Sequence, residues 1–134
     1  MLLNPVIKKL ETNFYHLTIY QNKMKKLFQN YNYEFTKNEK KLLSSFCKQS
    51  LKQMEGNKQY FGETKAFNSI LNKLESNDET IKFTKDEKTR LTFQLKQNID
   101  YIKNEMDKSW FIKKWMMKSL FKQYSDLLDT HFRG

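Results

Sequence analysis

Apolar residues recur along this chain at intervals of three and four, the spacing that gathers side chains on one face of an α-helix. Ile7, Leu10, Phe14, Leu17, Met24, Phe28 and Tyr31 form the first such run. Asn4 before it supplies a capping side chain, and Pro5 a backbone angle suited to the first turn, so the run predicts a helix over about 5–31. Leu43, Phe46, Cys47, Leu51 and Met54 form a second run, entered through Thr36-Lys37-Asn38-Glu39. That tetrapeptide is a capping box: the Thr36 hydroxyl accepts from a first-turn amide while the Glu39 carboxylate accepts from the Thr36 amide. Gly56 stands where a left-handed residue would end this helix.

A third, shorter run, Phe67, Ile70, Leu71 and Leu74, predicts a helix starting after Gly62 and ending in Ser76-Asn77-Asp78. Leu91, Leu95, Ile99, Ile102 and Met106 mark a fourth. Beyond it, Trp110, Met117, Phe121, Tyr124 and Leu128 share one face. This last stretch reads either as a fifth helix capped by Asp107 or Ser109 near Trp110, or as the continuation of one bent helix, because the apolar spacing from Met106 to Trp110 does not break.

Two parts of the chain resemble each other. Phe83-Thr84-Lys85-Asp86-Glu87-Lys88 repeats Phe35-Thr36-Lys37-Asn38-Glu39-Lys40 almost residue for residue forty-eight positions later, with Asp86 in place of Asn38. Leu91 and Leu95 repeat Leu43 and Cys47, while upstream Phe14, Tyr20, Met24 and Leu27 align with Phe61, Phe67, Leu71 and Leu74. Generic capped amphipathic helices share part of this likeness, but the six-residue match points to duplication. The expected architecture is all-α: an antiparallel bundle of four to five helices in one domain, residues 1–134. It would comprise hairpin-like halves at about 5–56 and 61–107 and a C-terminal helix at about 109–131.

Composition agrees with helices. Three glycines and one proline are too few for the tight turns of a β-sandwich, and an aromatic content of 15% is too high for a disordered chain. No stretch approaches a membrane span and the N-terminus lacks a signal-peptide core, so a cytoplasmic location is expected. The lone Cys47 fits a reducing compartment.

The catalytic inventory is thin. His16 and His131 have no nucleophile motif around them, and Cys47 falls on an apolar face where a thiol serves as core. One cysteine and two distant histidines cannot make a zinc site, and isolated glycines cannot cradle a phosphate. No catalytic residue, metal or cofactor is expected. Asp86 and Glu87 lie in a first helical turn, where the macrodipole accounts for them.

The charge of +10 is the feature that points outward. It favours an acidic protein, nucleic acid or an anionic membrane, although lysine-rich usage also follows from AT-rich coding. Lys37, Lys41, Lys48 and Lys52 form a stripe opposite the apolar face of the second helix, able to meet phosphates or acidic groups, or simply to be solvated. Arg90 and Arg133 are the only arginines, which weakens any reading based on base-edge recognition.

Phe111, Ile112 and Trp115 point away from the last segment's core face, beside Lys118 and Lys122; Tyr15 and Ile19 lie off the main stripe of the first helix. These residues either pack against one another or form a partner-binding patch. The leading expectation is a non-enzymatic protein-binding module, an inhibitor or regulator such as phages and other mobile elements encode, steered to an acidic protein partner. A nucleic-acid accessory protein is the alternative, followed by a membrane-surface protein of immunity type; a homodimer joined through the apolar face also fits.

Overall fold

The computed structural model describes residues 16–19 and 31–133. The chain divides into two compact units, Met1–Asn30 and Tyr31–Gly134. In the first, residues 16–19 are helical, with Leu17 and Ile19 exposed. The rest of the first predicted helix up to residue 30, including Tyr15, and the upstream half of the repeat up to Leu27 lie outside the described residues.

The second unit is mostly helical, with one small sheet. Strand β1 (Tyr31–Tyr33) leads into α1 (Lys37–Met54); a 3-10 turn, Lys58–Tyr60, opens α2 (Phe61–Leu74). Strand β2 (Ile81–Phe83) leads into α3 (Lys85–Asp107), which is followed by α4 (Phe111–Leu127) and a wider, π-helical turn, Leu128–Phe132. The helices match the second to fifth apolar runs.

The strands correct the expectation that helix extends through Tyr31. β1 and β2 pair antiparallel, Tyr31 with Phe83, Asn32 with Lys82 and Tyr33 with Ile81. Their apolar residues alternate with polar ones, so a pleated backbone buries Tyr33, Ile81 and Phe83 while Asn32 and Lys82 face water. Aromatic and β-branched side chains suit that geometry. Tyr33 and Ile81, forty-eight positions apart like the two capping boxes, sit directly opposite. Each strand runs through a buried phenylalanine, Phe35 or Phe83, into a capping threonine and a helix.

Both boxes form as reciprocal pairs. Glu39 N–H donates to Thr36 Oγ1 at 3.1 Å and Thr36 N–H to Glu39 Oε1 at 2.9 Å. At the second box the corresponding distances, Glu87 to Thr84 and back, are 3.1 and 3.3 Å. Each satisfies two amide donors that a helix start otherwise leaves open. Helix α1 ends as expected: Gly56 takes φ +74°, a conformation that glycine adopts without a Cβ penalty. Helix α2 begins at Phe61, earlier than the glycine signal indicated, because the 3-10 turn capped by Asn57 feeds straight into it.

The core lies between the strand pair and the inner faces of the helices. Leu43, Cys47, Phe67, Ile70, Phe83, Leu91 and Leu95 are all fully buried. Each large apolar side chain so placed contributes about 1.5–3 kcal/mol. At one end Tyr33, Phe35 and Phe83 form an aromatic cluster closed by Phe132, whose ring centroid lies 5.1 Å from that of Tyr33.

The alternative of one continuous bent helix is settled by a break at Lys108–Trp110. Neither Asp107 nor Ser109 caps α4: Trp110 occupies the cap position with extended backbone and no side-chain cap, while the Ser109 hydroxyl donates to the Glu105 carbonyl at the end of α3. The three-residue turn folds α3 and α4 into a helical hairpin. Burial within that hairpin is uneven. Glu87, Leu91, Leu95, Tyr124, Leu127, Leu128 and Phe132 are buried near the strands, whereas towards the turn only Ile102 is, with Ile99, Met117 and Phe121 partly buried against the core.

Candidate interaction surface

Helix α4 has two unlike faces. Tyr124, Leu127 and the following Leu128 are buried, with Met117 and Phe121 half-buried on the same side. At about 100° per residue Phe111, Ile112 and Trp115 fall on the opposite side. They are 86%, 69% and 71% exposed, and Met116 and Leu120 extend the apolar strip along the helix. The alternative of mutual burial is excluded for these three side chains.

Trp110 requires a correction. Helical spacing assigns it to the core face with Met117 and Phe121, yet it is 85% exposed. Its φ of −60° and ψ of 158° are those of a residue before the helix, so the wheel does not apply to it and its side chain joins Phe111 at the tip of the hairpin. The error came from carrying helical periodicity through a residue that lies in a turn.

Lysines flank the strip. Lys114, Lys118 and Lys122 step by four residues and make one ridge beside Phe111 and Trp115; Lys113, exposed near the start of the helix, falls on the side of Met117. Between Asp107 and Asp126 there are five lysines and no acidic residue. Lys122 Nζ lies 3.0 Å from Asp126 Oδ2, an exposed pair that water screens. Beside Trp115 the small Ser119 and Ser125 leave a shallow groove bordered by Phe121, Lys118 and Lys122.

The other predicted positions are less distinctive. Lys37, Lys41, Lys48 and Lys52 are all exposed along α1, as the stripe required, but Lys48 Nζ is 3.2 Å from Glu75 Oε1. Ile19, in the first unit, is exposed. A second depression, at the α1–α2 turn, includes Leu51, Met54, Gly56 and the exposed Phe61, a single aromatic side chain rather than a strip.

No family model, curated protein or solved structure matches this sequence. Chemistry must therefore be judged from the residues. Cys47 is fully buried, and burial pushes its thiol up to about 12, far from the reactive thiolate range. His131 donates from Nε2 to Glu39 Oε2 at 2.6 Å and is ringed by Phe35, Tyr33 and Phe132, at the junction of the C-terminal turn with α1. Burial and the neighbouring Tyr31 raise the Tyr33 hydroxyl to about 12. Glu87 is buried, accepting from Lys73 Nζ at 2.7 and 3.0 Å and from the Ser69 hydroxyl at 3.3 Å. Among the described residues no three His, Cys, Asp or Glu side chains gather as a metal site would need.

Sequence reasoning missed the Lys73–Glu87 and Glu39–His131 pairs because they join distant segments. It also omitted Met116, Leu120 and Lys114 from the surface, although helical spacing places Met116 and Leu120 on the row of Ile112 and Lys114 next to Phe111.

Proposed function

We propose that this chain is a non-enzymatic binding module that acts by occupying an acidic partner, as an inhibitor or regulator does, and that the outer face of α4 is its contact surface. The single observation carrying this reading is the exposure of Trp110, Phe111, Ile112 and Trp115 within one lysine-flanked strip. Isolated exposed apolar residues are ordinary, but a contiguous strip led by two tryptophans and a phenylalanine is a binding feature. The titratable groups that chemistry would recruit are otherwise engaged: His131 holds Glu39, and Cys47 fills core volume.

Capture from a lysate of the cells that encode the protein, membranes included, tests this reading. Wild type is expected to retain a specific partner that a Phe111→Ser, Trp115→Ala variant loses. A variant carrying Lys37→Glu, Lys41→Glu and Lys52→Glu should still retain it. Loss only in the α1 variant would move the working surface to the lysine stripe.

A further inference from the structure

We infer that the partner of the α4 face is an anionic lipid surface, with Trp110, Phe111, Ile112 and Trp115 entering the headgroup–acyl boundary and Lys114 and Lys118 meeting lipid phosphates. The inference rests on the reading of α4 as the binding face and names what that face meets.

Three features favour lipid. The first is placement: Trp110 and Phe111 are consecutive, 85% and 86% exposed, and sit where the chain reverses at the end of a hairpin. Only Ile102 is buried in the part of the hairpin next to that turn, so its apolar side chains project rather than line a cavity. A projecting aromatic tip suits a deformable interface, and tryptophan favours the headgroup level.

The second is the kind of charge. Protein interfaces enrich arginine and deplete lysine, since the planar guanidinium pairs with carboxylates in fixed geometry. The α4 face has lysine alone, on flexible stems that reach charged headgroups in many arrangements while their methylenes cover apolar surface. The third is the aliphatic content. Ile112 and Met116 are exposed along the same helix, and they enter acyl chains readily but offer no ring for stacking on nucleic-acid bases. A second copy of the chain is disfavoured because a two-fold contact would bring lysine-rich surfaces together. Among the described residues no helix is long and apolar enough to cross a membrane, so the association is with the surface.

Vesicle flotation of the full chain tests this, using phosphatidylcholine vesicles and the same vesicles containing phosphatidylglycerol. Both tryptophans of the protein belong to the tip, so their emission reports on that surface alone. Anionic vesicles should carry the protein upward and shift its emission to the blue, and neutral vesicles should do so far less. Replacing Lys114 and Lys118 by glutamine should lower partitioning about thirtyfold. Phe111→Ser with Ile112→Ser should also lower it while the circular dichroism spectrum stays unchanged.

Failure to float with anionic vesicles overturns the inference, and so does flotation that survives both variants. Emission already blue-shifted in a dimer that reddens on dilution assigns the face to a second copy instead. Capture of an acidic protein that depends on Phe111 and Trp115, without vesicle binding, refutes lipid while leaving α4 as the binding face; failure of both overturns that reading too.

Discussion

Glu39 Oε2 lies 2.6 Å from His131 Nε2, joining the first turn of α1 to a residue 92 positions further along the chain. The same carboxylate caps its own helix through Oε1. Burial raises the Glu39 pKa, but the Thr36 amide and the His131 ring outweigh it, and the net direction is downward from 4.5. A group depressed on folding stabilises the native state above its unfolded pKa, and that stability is lost as pH falls through the folded value. Glu39→Gln should therefore cost about 1–2 kcal/mol at neutral pH. Urea unfolding across the acid range should show the gap to wild type narrowing below pH 4.5, the ordinary value of the carboxyl. A constant gap would refute the linkage.

Lys73 and Glu87 should respond unequally to removal. The Glu87 side chain is 7% exposed and that of Lys73 is 35%, so an abandoned lysine can hydrate where an abandoned carboxylate cannot. Lys73→Met is expected to cost about 3 kcal/mol and Glu87→Gln less, since breaking a pair is worst when the charge left behind stays buried. Denaturation midpoints of the two variants, and of the double variant, decide this; the reverse order would contradict it.

Cys47 should be inert until the protein opens. Its thiol is fully buried and held protonated by burial, so alkylation by iodoacetamide should follow the unfolding equilibrium. Cys47→Ala should cost about 1–2 kcal/mol for lost packing. Cys47→Ser should cost more, since it replaces a weakly polar thiol by a hydroxyl that must leave water on folding. Rapid labelling of the folded protein would disprove this placement.

At Gly56 a Cβ would meet nothing within 4 Å, so sterics with neighbours cannot penalise a substitution. The positive φ does. Gly56→Ala is expected to lose about 1 kcal/mol, and Gly56→Asn less, because asparagine tolerates left-handed backbone. Equal losses measured by chemical unfolding would point to another cause.

The α4 strip separates surface from core by the same measurement. Trp115→Ala and Phe111→Ser should change stability by no more than about 0.5 kcal/mol, whereas Leu127→Ala, on the buried side of the same helix, should lose about 2–5 kcal/mol. Both tryptophans of the free protein should be quenched readily by acrylamide. A large loss in Trp115→Ala would return that side chain to the core.

Local chemistry explains which features were legible. The Thr36 and Thr84 boxes, the Gly56 stop and the stripe Leu43, Phe46, Cys47 and Met54 involve residues within a few positions of one another, and their geometry follows from helix physics alone. The surplus of Phe111, Ile112 and Trp115 over one core face was equally visible, because a helix buries about one stripe in a bundle.

What the chain determined by itself was thus its helices, their caps and the apolar positions available for burial. Tertiary structure decided which of those positions were used. Tyr31–Tyr33 became a strand because Ile81–Phe83 was there to pair with it, and a strand without a neighbour leaves its backbone donors and acceptors unmatched. Trp110 left the core when the chain broke between α3 and α4, a break that apolar spacing did not register. His131 found Glu39, and Lys73 found Glu87, through packing between helices. Periodicity records where each side chain points on its own helix; what it meets there depends on the rest of the fold.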